Sequence, residues 1–525
     1  MCYFRFLLGL FSILPEALLA QEKMDVIKIK LDFDHPKQRI DNFGAAGCWN
    51  AEEIGKYWPE EKKARMAELL FSTAVDSEGK PRGIGLNTWR FNVGAGTAEQ
   101  GDASGMPSLS RRVECFQLQD GSYDWSKQAG SIWFAKQAKA YGVKNLVAFV
   151  NSPPVHMTQN GLGYKTNEDG KSNLRPDRYG AFASYLADVV QHFSKEGVVF
   201  NYISPVNEPQ WKWYCAYGDA DQEGSPYTNE EIYQVIGKLD STLTVRNMDN
   251  AILVPETGSL SYFYGGGRKN NTLTTQQVPV FWNQESSLYL GRFKHVPRVM
   301  AGHSYFTDFG DDSIINTRIK VAEAMKNHQV AYWQSEYSML GDGFREGTGK
   351  PRSAMDCSLF LAKMIHHDLV IGQAAAWHFW NAFEPGKPDV DTRYYLLAFK
   401  SNANHTDGEY WVTKNLWALG HYSRFIEDGM RRIDVLWDNH EESNSLLKQA
   451  QDVMFSAYTN FQGKVVVVAI NYAELDKKLI IDGMMGENKS IKMFITDENH
   501  DFDVYHSNES VILPKRSIIT CVFNE

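Results

Sequence analysis

Runs of basic residues are missing from this sequence. Lys and Arg number 54 against 64 Asp and Glu, a net charge of −10. A nucleic-acid groove needs a positive stripe to displace counterions, so no nucleic-acid partner is expected. Cysteine is scarce: the 6 are Cys2, Cys48, Cys115, Cys215, Cys357 and Cys521. Their wide spacing holds no Cys-x-x-Cys pair and no zinc pattern, so no cysteine-bound metal is expected. A chain of this length builds its own core, so no disulfide framework is expected either. Beyond the N-terminus, no apolar run is long enough to cross a bilayer. Internal repeats, low-complexity tracts and long linkers are also absent, which excludes a repeat array. Tightly packed domains in a monomer are expected instead.

The first 20 residues read as a targeting segment. Arg5 is their one basic residue, residues 6–14 are apolar, and the small Ala20 precedes Gln21-Glu22-Lys23. This pattern resembles a secretory signal peptide cleaved after Ala20, giving a secreted or periplasmic chain. No cysteine follows Ala20 to take a lipid anchor. Removal of residues 1–20 would leave an odd number of cysteines, hence at least one free thiol or an intermolecular bond.

Aromatic residues make up 13% of the chain, with 14 Trp and 25 Tyr. Flat rings of this kind serve either as core filler or as platforms for sugars. Short apolar runs recur at residues 40–46, 86–93, 144–151, 198–207, 251–256, 296–305, 329–336 and 370–380. Amphipathic stretches lie between them, at 179–193, 229–243 and 317–326 among others. Buried strands alternating with helices predict parallel βαβ units, and eight in series predict a (β/α)8 TIM barrel over residues 37–416. From about Trp417 the pattern changes to short strands at 453–458, 465–471, 478–481, 490–495 and 517–523. These predict a C-terminal β-sandwich over residues 417–525. Residues 21–36 include an alternating strand (Val26, Ile27, Ile29, Leu31) that precedes the barrel and can join the C-terminal sheet.

In such a barrel the chemistry sits at the C-terminal ends of the strands. The fourth run ends in Ser204-Pro205-Val206-Asn207-Glu208-Pro209, and the seventh in Trp333-Gln334-Ser335-Glu336-Tyr337-Ser338. Either glutamate alone is one solvated carboxylate among many. Together they put two carboxylates at one mouth, which is what cleavage of a glycosidic bond requires: one protonated to release the leaving sugar, one ionised to attack the anomeric carbon. Glu256, ending the fifth run, faces the same mouth as a substrate or network residue. His366-His367-Asp368 invites a metal reading, but adjacent residues of a helix point apart, so no metal is expected there.

The motif Asn207-Glu208-Pro209, with a Glu ending the seventh run, resembles clan A of the glycoside hydrolases, and the details resemble glycoside hydrolase family 30. Supporting segments are Phe43-Gly44-Ala45-Ala46-Gly47, Arg90-Phe91-Asn92-Val93-Gly94, Asn151-Ser152-Pro153-Pro154, His303-Ser304-Tyr305 and Ser335-Glu336-Tyr337. The resemblance runs from Phe33 to Glu525 in the family's order. It implies a retaining O-glycosyl hydrolase with Glu208 as acid/base and Glu336 as nucleophile, without cofactor or metal. It also implies that Arg90 is the family's arginine and that Tyr305 hydrogen-bonds the nucleophile. His303 is either a cleft residue or a packed barrel histidine.

Trp49, Asn151, Asn207, Trp213 and Trp380 stand where a sugar would bind, completing a substrate-binding set with Arg90, His303 and Tyr305. Trp211 and Tyr214 share the loop of Trp213; each loop aromatic either stacks on sugar or anchors the loop. Asn-Ser-Pro-Pro, this loop and Gln222-Glu223-Gly224 look most like the β-1,6-galactanase branch. Other family specificities (β-1,6-glucan, xylan, β-glucoside, β-fucoside) are the alternatives. His156 departs from the aromatic expected after Asn-Ser-Pro-Pro-Val and bears on endo versus exo action. Two readings of another class are a non-catalytic carbohydrate-binding protein on the same scaffold and a surface-interaction protein working through the sandwich.

Overall fold

The structure is a computed structural model that describes residues 24–266, 272–341, 352–437, 445–485 and 490–523. The expected signal peptide lies outside the described residues. Parallel strands Asn42–Ala46, Thr88–Asn92, Asn145–Phe149, Tyr202–Ser204, Ala251–Ile252, Pro255–Thr257, Val299–His303, Ala331–Tyr337 and Ala374–Phe379 form one sheet. Its two edges are Ala251–Ile252 and Pro255–Thr257, the two halves of the fifth predicted run. Between them, the Leu253 N–H donates to Ile203 O (2.9 Å) and the Ala301 N–H to Val254 O (2.8 Å). The sheet therefore closes on itself as an eight-stranded barrel, and each predicted run supplies one strand.

The barrel strands are buried almost throughout because helices cover the outer face and side chains fill the interior. Helix Tyr179–Lys195 buries Phe182, Tyr185, Leu186, Val189, Val190 and Phe193, the one-sided stripe of a covering helix. Helix Asn229–Val245 opens with a capping box between Thr228 and Glu231. Helix Asp311–His328 is longer than the predicted 317–326, its first turn carrying Asp311 and Asp312 where the helix dipole favours acid. No helix among the described residues is long and apolar enough to cross a membrane.

The second large sheet runs Asp501–Ser507, Ile491–Thr496, Ser517–Phe523, Val465–Asn471, Val453–Thr459, Arg431–Trp437, Asp25–Asp32, Lys477–Ile481, Val511–Leu513. The N-terminal strand does join it, antiparallel to Arg431–Trp437 and parallel to Lys477–Ile481. Arg431–Trp437 pairs by its first half with Val453–Thr459 and by its second half with Asp25–Asp32. A strand that changes partners in this way turns the sheet over on itself into two layers. Ile27, Ile29 and Leu31 pack between the layers with Val465, Val467, Ala469 and Cys521. Val466, Val468 and Ile470, on the opposite face, join the barrel's core instead. Burial on both faces explains the uninterrupted Val465–Asn471 strand. Helix Ala354–Val370 lies under this layer and is buried on nearly all sides. Helix Lys414–Ser423 spans the boundary expected at 416/417. A three-stranded sheet of Phe383–Pro385, Leu397–Ser401 and Gly408–Val412, which the sequence reading lacks, follows the eighth barrel strand.

Candidate active site

Glu336 is the penultimate residue of the seventh strand, Glu208 lies just past the fourth, and both open into one cleft of about 350 Å³. One oxygen of each and a ring nitrogen of His303 lie within 4.8 Å of one another. Glu208 adopts a left-handed backbone (φ 45°). Such a backbone costs a non-glycine residue about 1–3 kcal/mol unless its surroundings enforce it. Here they do: its N–H donates to Glu256 O (2.8 Å), and its carbonyl accepts the Trp211 N–H (3.2 Å) and the Trp213 indole N–H (3.0 Å).

Beneath the pair is a fully buried charge network. Arg90 Nη1 donates to Glu336 Oε2 (2.6 Å), and its Nη2 lies 3.4 Å from Glu256 Oε1. The Tyr305 hydroxyl donates to Glu336 Oε1 (3.1 Å). His303 reaches Glu208 Oε1 through Nδ1 (2.9 Å) and Glu256 Oε2 through Nε2 (3.1 Å). Ser335 also donates to Glu256. Burial alone would lower the His303 pKa, but the charge of Glu336 and the bonds to Glu208 and Glu256 raise it to about 10. Burial would raise the pKa of Glu256, but the charge of Arg90 and the bonds from His303 and Ser335 hold it at about 2. The three carboxylates therefore favour the imidazolium form of His303, which can donate from both nitrogens, and Arg90 and His303 favour the ionised form of Glu256. Burial raises the pKa of Glu208 and the charge of Glu336 adds to it, while His303 opposes.

The sequence candidates divide into three groups. Asn151, Asn207, Trp213, Tyr305 and Trp380 line the cleft with the two glutamates. Asn207 donates to Asn151 Oδ1 (3.0 Å), leaving its own oxygen without a protein partner among the described residues. Arg90 and His303 have no exposed surface, so they act through the carboxylates and not by touching a ligand. Trp49 stands outside the cleft: its ring packs edge-on against Trp380 at 5.2 Å, and the Arg111 guanidinium covers it at 3.7 Å. His156 lies apart as well, its Nε2 3.0 Å from Gln117 Oε1 in a separate depression. Tyr214 points away and bonds Glu168 (2.6 Å). His366 and His367 are buried in their helix, where burial holds both pKa values low, and Asp368 is paired with Arg318 (2.9 Å).

Sequence reasoning passed over two contributors to the cleft and named a third without its role. Phe306 and Leu340 line the cleft while 38% and 44% exposed, giving it apolar walls beside Trp211. The third is the latch that holds Trp213. A β-carbon on Gly224 would overlap the Trp213 indole, so only glycine lets the ring lie there. Its neighbour Glu223 is fully buried and accepts from the Thr97 hydroxyl (2.6 Å) and the Ala95 N–H (3.1 Å). This ties the loop after Glu208 to the loop after the second strand. Gly224 beside a loop tryptophan was the available signal.

A model of O-glycosyl hydrolase family 30 matches residues 26–390. The endo-β-1,6-galactanase of Hypocrea rufa is 27% identical over 288 residues, 47% of this chain and 58% of that protein. The exo-β-1,6-galactobiohydrolase of Bifidobacterium longum is 27% identical over 239 residues, 36% of this chain and 15% of that protein. The chain thus matches little more than half of the galactanase's length and a small part of the galactobiohydrolase. The crystal structure of a conserved exported protein from Bacteroides fragilis superposes with a TM-score of 0.85 at 31% identity, over 94% of this chain and 99% of that one.

Proposed function

The chain belongs to O-glycosyl hydrolase family 30, and from that premise we propose that it is a retaining β-glycosidase with Glu336 as nucleophile and Glu208 as acid/base. The observation that carries this reading is the approach of the two carboxylates, with one oxygen of each within 4.8 Å. An inverting pair stands roughly 6.5–9.5 Å apart to admit a water, whereas a retaining pair stands about 5–5.5 Å apart.

In the first step a Glu336 oxygen attacks the anomeric carbon and the bond to the leaving oxygen breaks. Glu208 gives its proton to that oxygen. His303 Nδ1 lies 2.9 Å from Glu208 Oε1 and orients the carboxyl group. Arg90 and Tyr305 hold the Glu336 carboxylate in line and offset its charge. Once Glu336 is esterified its negative charge is gone, and the contribution it made to raising the Glu208 pKa goes with it. Glu208 then takes a proton from water, the hydroxide oxygen bonds to the anomeric carbon, and the Glu336 ester is released. Two inversions give net retention. Asn207 and Asn151 line the cleft as partners for sugar hydroxyls, and Trp380 and Trp213 offer ring faces.

The substrate we favour is β-1,6-galactan. Similarity to the Hypocrea rufa galactanase supports it, as do the aromatic loop 211–214 and Gln222-Glu223-Gly224. Export of the chain belongs to the same reading, supported by the apolar segment 6–14 and the likeness to an exported protein. The sandwich, residues 417–525 with strand 21–36, is read as a support for the barrel of 37–416, because one of its layers is buried against barrel helices. Product analysis on β-1,6-galactan, β-1,6-glucan and xylan tests the substrate. Release of β-1,6-linked galactose or galacto-oligosaccharides is expected, and cleavage of only one of the other two polymers contradicts it.

A further inference from the structure

Glu208 and Glu336 come from the fourth and seventh strands, so the line between them divides the mouth of the barrel into two halves. One half, over the eighth, first, second and third strands, carries Trp380 and Asn151, with Asn207 bonded to Asn151 at its border. The other half, over the fifth and sixth strands, carries Trp211 and Phe306, with Leu340 at its border on the seventh. Trp211 follows Glu208 in sequence but lies against the loop after the fifth strand. A β-carbon on Gly258 would overlap its indole, and Gln210 Oε1 accepts the Gly258 N–H (2.9 Å), which ties the two loops together. Phe306 meets the Trp211 ring edge-on at 5.7 Å. Its backbone is left-handed (φ 57°), as that of Glu208 is, a conformation uncommon for a non-glycine residue. Phe306 and Leu340 both stay partly exposed. An exposed apolar wall inside a cleft is a contact surface for the apolar face of a ligand.

The two halves suit different sugars. The sugar transferred to Glu336 must be held in register with the attacking oxygen, which calls for directional hydrogen bonds, and the two amides supply them. The leaving sugar must depart after the first step, and apolar contact with its C–H face holds it without fixing it. Contact with the acid points the same way. The Trp211 indole is a hydrogen-bond partner of the Glu208 carboxyl group, opposing the rise that burial causes in its pKa. Glu208 protonates the leaving oxygen, so the wall that touches its carboxyl is the wall beside the leaving sugar. We propose that Trp211, Phe306 and Leu340 form the platform for the leaving sugar, and that Phe306 and Leu340 select leaving groups with an apolar ring face. The assignment rests on the glycosidase reading. Once Glu336 is esterified, the same platform receives a second sugar. A hydroxyl oxygen of that sugar bonds to the anomeric carbon, its proton passes to Glu208, and the ester bond to Glu336 breaks, so the product is a new glycoside instead of a free sugar.

Competition between sugar and water for the esterified enzyme tests the platform. The donors are β-fluorides of galactose, glucose and xylose and of their β-linked disaccharides. The matching methyl β-glycoside is the acceptor, and product analysis gives the ratio of transfer to hydrolysis. Glu208 serves water and sugar alike, so a disturbed base slows both and leaves the ratio in place, whereas a lost platform lowers it. In Phe306→Ala and Leu340→Ala, checked for folding by thermal unfolding, the ratio at a fixed acceptor concentration should fall about five-fold or more. In Trp380→Ala, on the other half of the mouth, turnover should fall while the ratio holds. No transfer by the wild type, or a ratio that stays in place in either Phe306→Ala or Leu340→Ala, overturns the proposal, as does a fall of the same size in Trp380→Ala. Turnover of none of the fluorides by the wild type overturns the glycosidase reading itself, and the platform with it.

Discussion

His303 stands between Glu208 and Glu256, 2.9 Å from one and 3.1 Å from the other, so a single imidazole orients the proposed acid while Glu336, Glu208 and Glu256 together favour its charged form. His303 lowers the Glu208 pKa, against burial and Glu336, which raise it. Replacement by His303→Leu removes the lowering contribution. Glu208 acts protonated, so activity falls as pH rises through its pKa. The basic limb of kcat/KM should therefore move to higher pH in the variant, with kcat down about 10²–10³-fold from lost orientation. A uniform loss at every pH, with no movement of the limb, contradicts the role given to His303.

The seat of Trp213 on Gly224 yields a sharper test. In Gly224→Ala the indole must shift, and the hydrogen bond from its N–H to the Glu208 carbonyl is lost. A misplaced acid matters most when the leaving group is poor. Turnover of polymer should fall about ten-fold or more, while a dinitrophenyl β-glycoside, which leaves without a proton, loses little. Equal losses on both substrates indicate general destabilisation instead.

Burial raises the Glu223 pKa from 4.5 to about 7. Its folded value lies above its unfolded one, so its stabilising contribution is complete below pH 4.5 and is lost as pH rises to about 7. Relative to Glu223→Gln, the wild type should lose about 1–3 kcal/mol of stability over that interval, read by denaturant unfolding at several pH values. Parallel stability curves for the two proteins contradict this.

Glu208, His303 and Glu336 are close enough to hold a metal ion. Both Glu336 oxygens already accept hydrogen bonds, from Arg90 and from Tyr305, and the imidazolium nitrogens of His303 are both donors. A cation would have to displace these groups beside a buried guanidinium. Dialysis against a chelator should leave activity unchanged; a loss that added metal restores contradicts the metal-free reading.

The barrel was legible because each buried strand leaves an apolar run, and Glu208 and Glu336 because both end such runs. Strand Asp25–Asp32 declared its place by alternation, although Val26 faces solvent, half exposed, while Ile27, Ile29 and Leu31 face inward. Loop side chains were less legible, since position in sequence does not fix direction. Trp49 follows the first strand as Trp380 follows the eighth, yet one packs behind the other. Glu256 could be placed at the mouth but not in its role, because its partners Arg90, His303 and Ser335 come from three other strands.

The stereochemistry of the first product tests the central claim most directly. Proton NMR of a β-glycoside during hydrolysis resolves the anomeric signal before mutarotation mixes the forms. With Glu336 as nucleophile and one of its oxygens within 4.8 Å of a Glu208 oxygen, the account predicts that the β-anomer appears first, with the α-anomer growing in later. If the α-anomer appears first, the reaction inverts, and Glu336 is not the nucleophile.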